Sequence, residues 1–332
     1  MESIKDLRIN LESKILSCKK VVIVPHNRVD FDAFASAIGI SLIADKLQKH
    51  SVILIDDPIY NIDSSVKNVI DDARKKYHII NKEKYLDEID NNDLLILTDT
   101  NKSNLICLED KINEINNDKI VIIDHHDIGE KTIKTPNIYI DTDSSSASEI
   151  IVKLLNSFKI KLISEVANYL LAGIHLDTSR LTKNTTSDTF KIIAKLMENG
   201  ASDSIIDEWF KKDFESDKKV FELFSKAIIY KYSFAIVMAE ESCEYTQEEL
   251  AKVSDKLLKY GVDAAFAIGN IDEDLISISA RSKEKVNVGK IMETLGGGGN
   301  KHSAAAKIRD ESIEEVGKKL IKLVKPPHII DN

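Results

Sequence analysis

Cysteine is scarce in this chain. Cys18, Cys107 and Cys243 are widely separated, odd in number and form no C-x-x-C pair, so neither a disulfide framework nor a sulfur-rich metal site is indicated. Long apolar runs are missing too: no stretch approaches the roughly 20 apolar residues that a membrane helix requires. Met1 to Lys20 is charged and amphipathic, without an apolar signal core or a small-residue cleavage site. It predicts a packed helix and a cytoplasmic protein. Positive charge is also in deficit. The formal net charge is -9, and Lys and Arg contacts to phosphate supply most of the affinity for long nucleic acid. A long nucleic-acid partner is therefore not expected, whereas a small anionic substrate held by metals is compatible with this charge.

What is present is a globular composition, 43% hydrophobic and 30% charged over 332 residues, long enough for two domains that each bury a core. In the first half, short apolar runs alternate with helical patterns. Val21–Val24, Val52–Ile55, Leu94–Leu97, Ile120–Ile123 and Ile138–Ile140 are the expected strands, the signature of a parallel, helix-covered sheet in an α/β fold. Asp32–Leu47, Ser146–Phe158 and Ile163–His175 carry apolar residues at helical spacing, and Ser146 with Glu149 reads as a capping box. Beyond a polar region around Trp209–Lys219, a smaller mixed α/β unit is expected. Its strands are Phe234–Ala239, Ala264–Gly269 and Leu275–Ser279, and its helices Gln247–Tyr260, Val288–Leu295 and Ile313–Val324. Thr246 with Glu249 and Ser312 with Glu315 supply helix starts there. Gly296–Gly299 ends one helix and opens a loop whose backbone can approach a ligand closely. This divides the chain into residues 1–200, a connecting segment 201–224, and residues 225–332.

The chemistry lies at the strand ends. In a parallel sheet, ligands sit beyond the carboxyl ends of the strands, and there the chain places His26, Asp30 and Asp32, then Asp99, then Asp124–His125–His126, with Asp177 following a later helical run. These are oxygen and nitrogen ligands without a thiolate. Such a set suits two hard or borderline divalent ions, manganese before zinc, with magnesium or cobalt as substitutes, and a two-metal site points to phosphoester hydrolysis. Asp30 alone could equally cap the helix that begins near Asp32. The adjacent histidines after a buried strand point in opposite directions, so one can bind metal while the other faces substrate.

In combination these motifs resemble the DHH phosphoesterase family with its C-terminal DHH-associated domain, from Val21 to about Lys325, and within it the catalytic region of GdpP-type cyclic-di-AMP phosphodiesterases. The resemblance also rests on Leu170-Leu-Ala-Gly-Ile-His-Leu-Asp177-Thr178, on Ser277-Ile-Ser-Ala-Arg281-Ser282, and on Asn287-Val-Gly-Lys-Ile-Met-Glu-Thr-Leu-Gly-Gly-Gly-Gly299. It implies a DHH metal-binding domain, a smaller DHH-associated domain and an active site in the cleft between them. It implies that His26 and Asp30 hold one manganese, that Asp32, His125 and Asp177 hold the other, and that Asp99 bridges both. His126 would lie beside the scissile phosphate, and Asp124 would orient a ligand histidine. Ser145, Arg281, Gly297, Gly298, Gly299 and Asn300 would contact the nucleotide; for the serines at 144–146, helix capping is the competing role.

The chain departs from the family pattern at Val29, where a proline is usual, at Ala35 for glycine, at Asn101 for a frequent histidine, and at Asn300, where the glycine-rich loop ordinarily ends in histidine. The expected activity is hydrolysis of cyclic di-AMP to linear pApA by water activated between two metals. A nanoRNase or 3′-phosphoadenosine phosphatase on the same scaffold, and a catalytically silent nucleotide sensor, are the alternatives. A homodimer is compatible with the sequence.

Overall fold

The structure, a computed structural model, describes residues 3–56, 64–85, 88–90, 92–211, 214–230, 233–283 and 285–324. Residues 212 and 213 of the expected connecting segment, and the tail from Lys325, lie outside these. The chain forms two compact units, Met1–Lys211 and Lys212–Asn332.

The first unit runs α1 (Ile4–Ser17), β1 (Val21–Pro25), α2 (Phe31–Lys46), β2 (Ser51–Ile55), α3 (Ser64–Ala73), β3 (Ile79–Asn81), β4 (Leu94–Thr98), β5 (Ile120–Asp124), β6 (Asn137–Ile140), α4 (Ala147–Ser157), α5 (Ser164–Asp177), α6 (Ser187–Glu198) and α7 (Asp203–Trp209). Its six strands are all parallel, in the order β3-β2-β1-β4-β5-β6. Every residue of β1, β2, β4 and β5 is buried, which is why these strands read as continuous apolar runs: both faces of a helix-covered sheet are inside. One face packs on α1, α2, α4 and α5 through Leu11, Ile38, Ile151 and Leu170. The other is closed by Tyr85, Ile106, Leu108 and Ile133. The chain order reverses between β1 and β4, and the crevice beyond the strand ends at such a switch point is where ligands bind.

The second unit contains α8 (Phe214–Ser225), β7 (Ile228–Tyr230), β8 (Phe234–Met238), α9 (Gln247–Leu258), β9 (Ala264–Asp272), β10 (Leu275–Ser282), α10 (Val288–Thr294), β11 (Gly298–Gly299), β12 (Ser303–Arg309) and α11 (Ile313–Val324). Its sheet, β11-β12-β10-β9-β8-β7, is mixed: β8 and β9 run parallel and the other neighbours antiparallel.

The described residues of the connecting segment 201–224 are largely helical. Ile206 of α7 is buried in the first core, with Trp209 and Phe210 packed beside it, and Val220 and Leu223 of α8 are buried in the second. Its polar surface masks a single buried stripe on each short helix, which is how a connecting stretch and a pair of amphipathic helices come to look alike in sequence. No helix among the described residues is long and apolar enough to cross a membrane.

Candidate metal centre

Three strand ends and two helices converge on one cavity of about 510 Å³ in the first unit, lined among others by His26, Asp30, Asp99, Asp124, His126 and Asp177. His26 follows β1 directly. Asp30 is the N-cap of α2: its Oδ1 accepts the backbone N–H groups of Asp32 and Ala33 at 2.9 and 3.1 Å. Its other oxygen, Oδ2, lies 3.5 Å from His26 Nε2. One carboxylate thus caps α2 with one oxygen and turns the other toward His26, so the cap leaves an oxygen available to an ion.

Asp32, fully buried, is seated on the start of α4. Its Oδ2 and Oδ1 accept the N–H groups of Ala147 and Ser148 at 2.7 and 2.8 Å, donors that a first helical turn leaves without intrahelical partners. The seat is tight because Gly173 of α5 crosses it. A Cβ there would stand 2.3 Å from Ser148 Oγ and 2.8 Å from Asp32 Oδ1.

Asp99 occupies the left-handed region at φ 59°, which L-residues visit rarely, though Asp and Asn do so more readily than most. Held there, it turns Oδ2 to within 3.4 Å of His26 Nε2 and Oδ1 to within 3.3 Å of His125 Nε2. His125 Nε2 is also 3.1 Å from Asp177 Oδ2 and 3.9 Å from Asp32 Oδ2. Two groups of three ligand atoms result, His26, Asp30 and Asp99 in one and Asp32, His125 and Asp177 in the other, with Asp99 facing both.

Asp124, also fully buried, serves the neighbouring histidine. Its Oδ1 accepts the N–H groups of His125 and His126 at 2.7 and 3.2 Å and lies 2.8 Å from His126 Nδ1. The ring it orients is therefore that of His126, and it reaches His125 through the backbone N–H. Asn101 completes the arrangement by donating Nδ2 to Asp124 Oδ2 at 2.7 Å and to the carbonyl of His126 at 3.2 Å. Its buried position went unrecognised in the sequence, where it registered only as a substitution.

The electrostatics are those of a site that wants cations. Burial works against charge on His125, but the carboxylates of Asp177 and Asp99 push its pKa up to about 11. Burial likewise opposes charge on His26, yet Asp30 and Asp99 hold it well above the ordinary range. Desolvation raises Asp32 well above the usual carboxylate value, helped by repulsion from Asp99 and Asp177. Asp99 resists its own burial because His125 and His26 flank it, and falls to about 2. Asp99 Oδ1 and His125 Nε2 are buried and face each other, and neither makes a hydrogen bond. Buried, unpartnered atoms facing one another in an all-oxygen-and-imidazole donor set, with the imidazoles deprotonated on binding, fit divalent cations.

Several expected substrate contacts are otherwise engaged. Ser145 is buried, and its hydroxyl is donated to Glu149 Oε2 at 2.7 Å. Glu149 also takes the hydroxyl of Thr189 and the ammonium of Lys153, so the Ser146 cap on the Glu149 N–H is not returned as a capping box. In the second unit, Gly297 and Gly299 approach the chain's own β12: a Cβ would stand 2.1 Å from the carbonyl oxygen of Ala305 and 2.5 Å from that of Ser303, respectively. Gly298 alone of the three faces open space. Asn300 Oδ1 accepts the N–H groups of His302 and Ser303 at 2.9 and 2.8 Å, fixing the turn between β11 and β12. The guanidinium of Arg281 is paired with Asp255 at 3.0 Å.

The signature of the DHH family's N-terminal domain matches residues 20–174, and that of the DHHA1 domain matches residues 230–325. The chain carries the DHH and DHHA1 domains of this family. It is 34% identical over 323 residues to the cyclic-di-AMP phosphodiesterase GdpP of Bacillus subtilis, a match covering 93% of this chain and 48% of that protein. To the cyclic-di-AMP phosphodiesterase PdeA of Listeria monocytogenes it is 29% identical over 322 residues, 95% of this chain and 48% of the relative. The chain thus spans about half the length of these relatives. The fold is shared with an exopolyphosphatase-related protein from Bacteroides fragilis at a TM-score of 0.76 and 20% identity, over 96% of this chain and 95% of that one. It is shared less closely with the exonuclease RecJ bound to manganese, at 0.56 and 11% identity, over 98% and 95%.

Proposed function

We propose that this DHH-domain chain is a cytoplasmic, manganese-dependent phosphodiesterase that hydrolyses cyclic di-AMP to linear pApA. The observation that carries the proposal is the division of Asp99 between two ligand groups, His26 with Asp30 on one side and His125 with Asp32 and Asp177 on the other, in a chain similar over most of its length to cyclic-di-AMP phosphodiesterases. When bound, two divalent cations supply Lewis-acid charge at the phosphate and acidify water near neutral pH.

The protein's own residues supply position and proton handling. Asp30 and Asp32 are fixed through helix N-termini, and Asp99 through its left-handed backbone, so the ligands are placed before any ion arrives. Asp124 anchors His126 through Nδ1, which leaves Nε2 as the working nitrogen of a side chain that is 52% exposed and lines the cavity. At hydrogen-bond reach of a phosphate, that nitrogen donates to developing charge or passes a proton to the leaving ribose oxygen.

The test is metal-stripped protein reloaded with manganese and given cyclic di-AMP, linear pApA and 3′-phosphoadenosine phosphate in parallel. Turnover of cyclic di-AMP to pApA that chelation abolishes is the expected result. Preference for pApA or for the 3′-phosphate would reassign the substrate. No turnover of any of the three by the loaded protein would sink the reading.

A further inference from the structure

The cavity holds more than the acidic cluster. Its wall is built from two segments, the turn after β1 and the stretch after β4, and these are bonded to each other. His26 and Ile106 form an antiparallel bridge, and the N–H of Asn27 donates to the carbonyl of Leu105 at 2.7 Å. That register sets Arg28 beside Asn104, with Lys102 two residues further along the same wall. Arg28, Lys102, Asn27 and Asn104 all line the cavity.

Two features of this wall are unused by the metal centre. Among the described residues, neither the guanidinium of Arg28 nor the ammonium of Lys102 has a carboxylate or hydrogen-bond partner, although Asp30, Asp99, Asp124 and Asp177 line the same cavity. In a chain of net charge -9, two unpaired cations at the mouth of an acidic pocket focus anions toward it. In addition, the side-chain carbonyl oxygens of Asn27 and Asn104 are buried without a hydrogen-bond partner. Orphaned acceptors of this kind are uncommon and call for a donor.

We infer that this wall is a nucleotide subsite of the first unit, in which Arg28 and Lys102 hold the phosphate that is not being cut and the Asn27 and Asn104 carbonyls receive hydroxyl or amino donors of the attached nucleoside. The inference rests on the phosphodiesterase reading and adds to it. The charge balance explains why separate cations are needed. Two divalent ions are offset by the carboxylates of Asp30, Asp32, Asp99 and Asp177, which leaves no positive charge for a second phosphate. A guanidinium and an ammonium supply it, the guanidinium with the fork geometry that suits phosphate oxygens. The paired amide acceptors favour a nucleotide over bare polyphosphate, which has no donors to offer them.

The test compares substrates with one phosphate and with two. For the wild-type protein and for Arg28→Ala, Lys102→Ala and the double variant, kcat/KM is measured with manganese on cyclic di-AMP, or on pApA if that is the nucleotide turned over, and on bis(p-nitrophenyl) phosphate. Calorimetric affinities for pApA and AMP supply a readout independent of turnover. Each Ala variant is expected to lower the ratio of two-phosphate to one-phosphate kcat/KM about ten- to a hundredfold, mainly through KM, and to lower the pApA-to-AMP affinity ratio likewise. Arg28→Lys and Lys102→Arg should keep both ratios within a fewfold. Ratios unchanged in the double variant, or wild-type protein that binds AMP as tightly as pApA, would overturn the subsite. Wild-type cleavage of bis(p-nitrophenyl) phosphate but of neither nucleotide would instead remove the nucleotide phosphodiesterase reading, with the binding ratio still judging the wall.

Discussion

Asp124 holds His126 at both ends of the residue: its Oδ1 lies 2.8 Å from the ring Nδ1 and 3.2 Å from the backbone N–H. The ring is thereby fixed in orientation, with Nδ1 as the buried nitrogen and Nε2 as the working one. Asp124→Asn keeps the shape but removes the charge that raises the His126 pKa. The expected loss is about 10- to 100-fold in kcat, the scale seen when a carboxylate supporting a site histidine is changed, with the content of both metals retained. Metal analysis alongside steady-state kinetics checks this. Loss of one equivalent of metal would make Asp124 a ligand.

Gly173 makes room for Asp32. In Gly173→Ala the new Cβ would stand 2.3 Å from Ser148 Oγ and 2.8 Å from Asp32 Oδ1, so α5 or the Asp32 seat must shift. Overpacking of this kind costs about 1–3 kcal/mol, and the shift should also weaken the ligand group that contains Asp32. Gly129→Ala is the matched control, because nothing lies within 4 Å of its Cβ position. Thermal melts and metal titrations should separate the two variants. Equal behaviour would mean that the helix contact has slack.

The strands that lead into the candidate metal centre were legible because burial on both faces turns them into unbroken apolar runs: β1, β2, β4, β5 and β6 stand where those runs predicted. β3 and β7, with three residues each, are too short to show a pattern. β12, Ser303–Arg309, escaped because Ala304, Ala305 and Ala306 have weak strand preference, and only its pairing with β10 makes the alternation visible. The candidate ligands stand out because His and Asp at strand ends are chemically conspicuous, and the structure brings His26, Asp30, Asp32, Asp99, His125 and Asp177 together in groups that could hold an ion. What could not be named were roles set by distant contacts. Asn101, Gly173 and the Ala147–Ser148 seat of Asp32 depend on packing between elements far apart in the chain. Ser145, Gly297, Gly299 and Asn300, expected as substrate contacts, also serve the fold's own turns and close approaches, which residue type alone does not reveal.

Metal binding should be coupled to protons. His125 has a pKa of about 11 in the metal-free site, and His26 is raised as well, so both carry protons at neutral pH that an ion must displace. Apparent metal affinity should therefore rise with pH between about 6.5 and 9. Stability follows with the sign fixed: a histidine raised above its unfolded value of about 6.5 contributes stability that is fully present below that pH and is lost toward its folded value. The metal-free protein should lose stability as pH rises through this window. The metal-loaded protein, with those nitrogens coordinated, should lose less, so the gap between their melting temperatures widens. A gap that stayed constant from pH 6.5 to 9 would contradict the protonation states assigned here.

Asp99 combines two demands, a left-handed backbone and a carboxylate shared between two groups, and two substitutions separate them. Asn tolerates φ 59° nearly as well as Asp does, but it replaces an anionic oxygen with a neutral amide. Asp99→Asn should thus fold with near-normal backbone geometry while two ions face each other without a bridging charge. Activity is expected to fall by at least about three orders of magnitude, the scale on which removal of a catalytic group is felt. Asp99→Ala should lose as much activity and in addition be less stable than the Asn variant by about 1 kcal/mol, because alanine has no side-chain hydrogen bond to offset the left-handed conformation. Equilibrium unfolding of both metal-stripped variants gives the backbone difference, and manganese titration with kinetics gives the ligand effect. Activity within tenfold of wild type in Asp99→Asn would show that the shared carboxylate is not required. Equal stability of the Asn and Ala variants would show that the left-handed backbone at this strand end carries no strain for alanine.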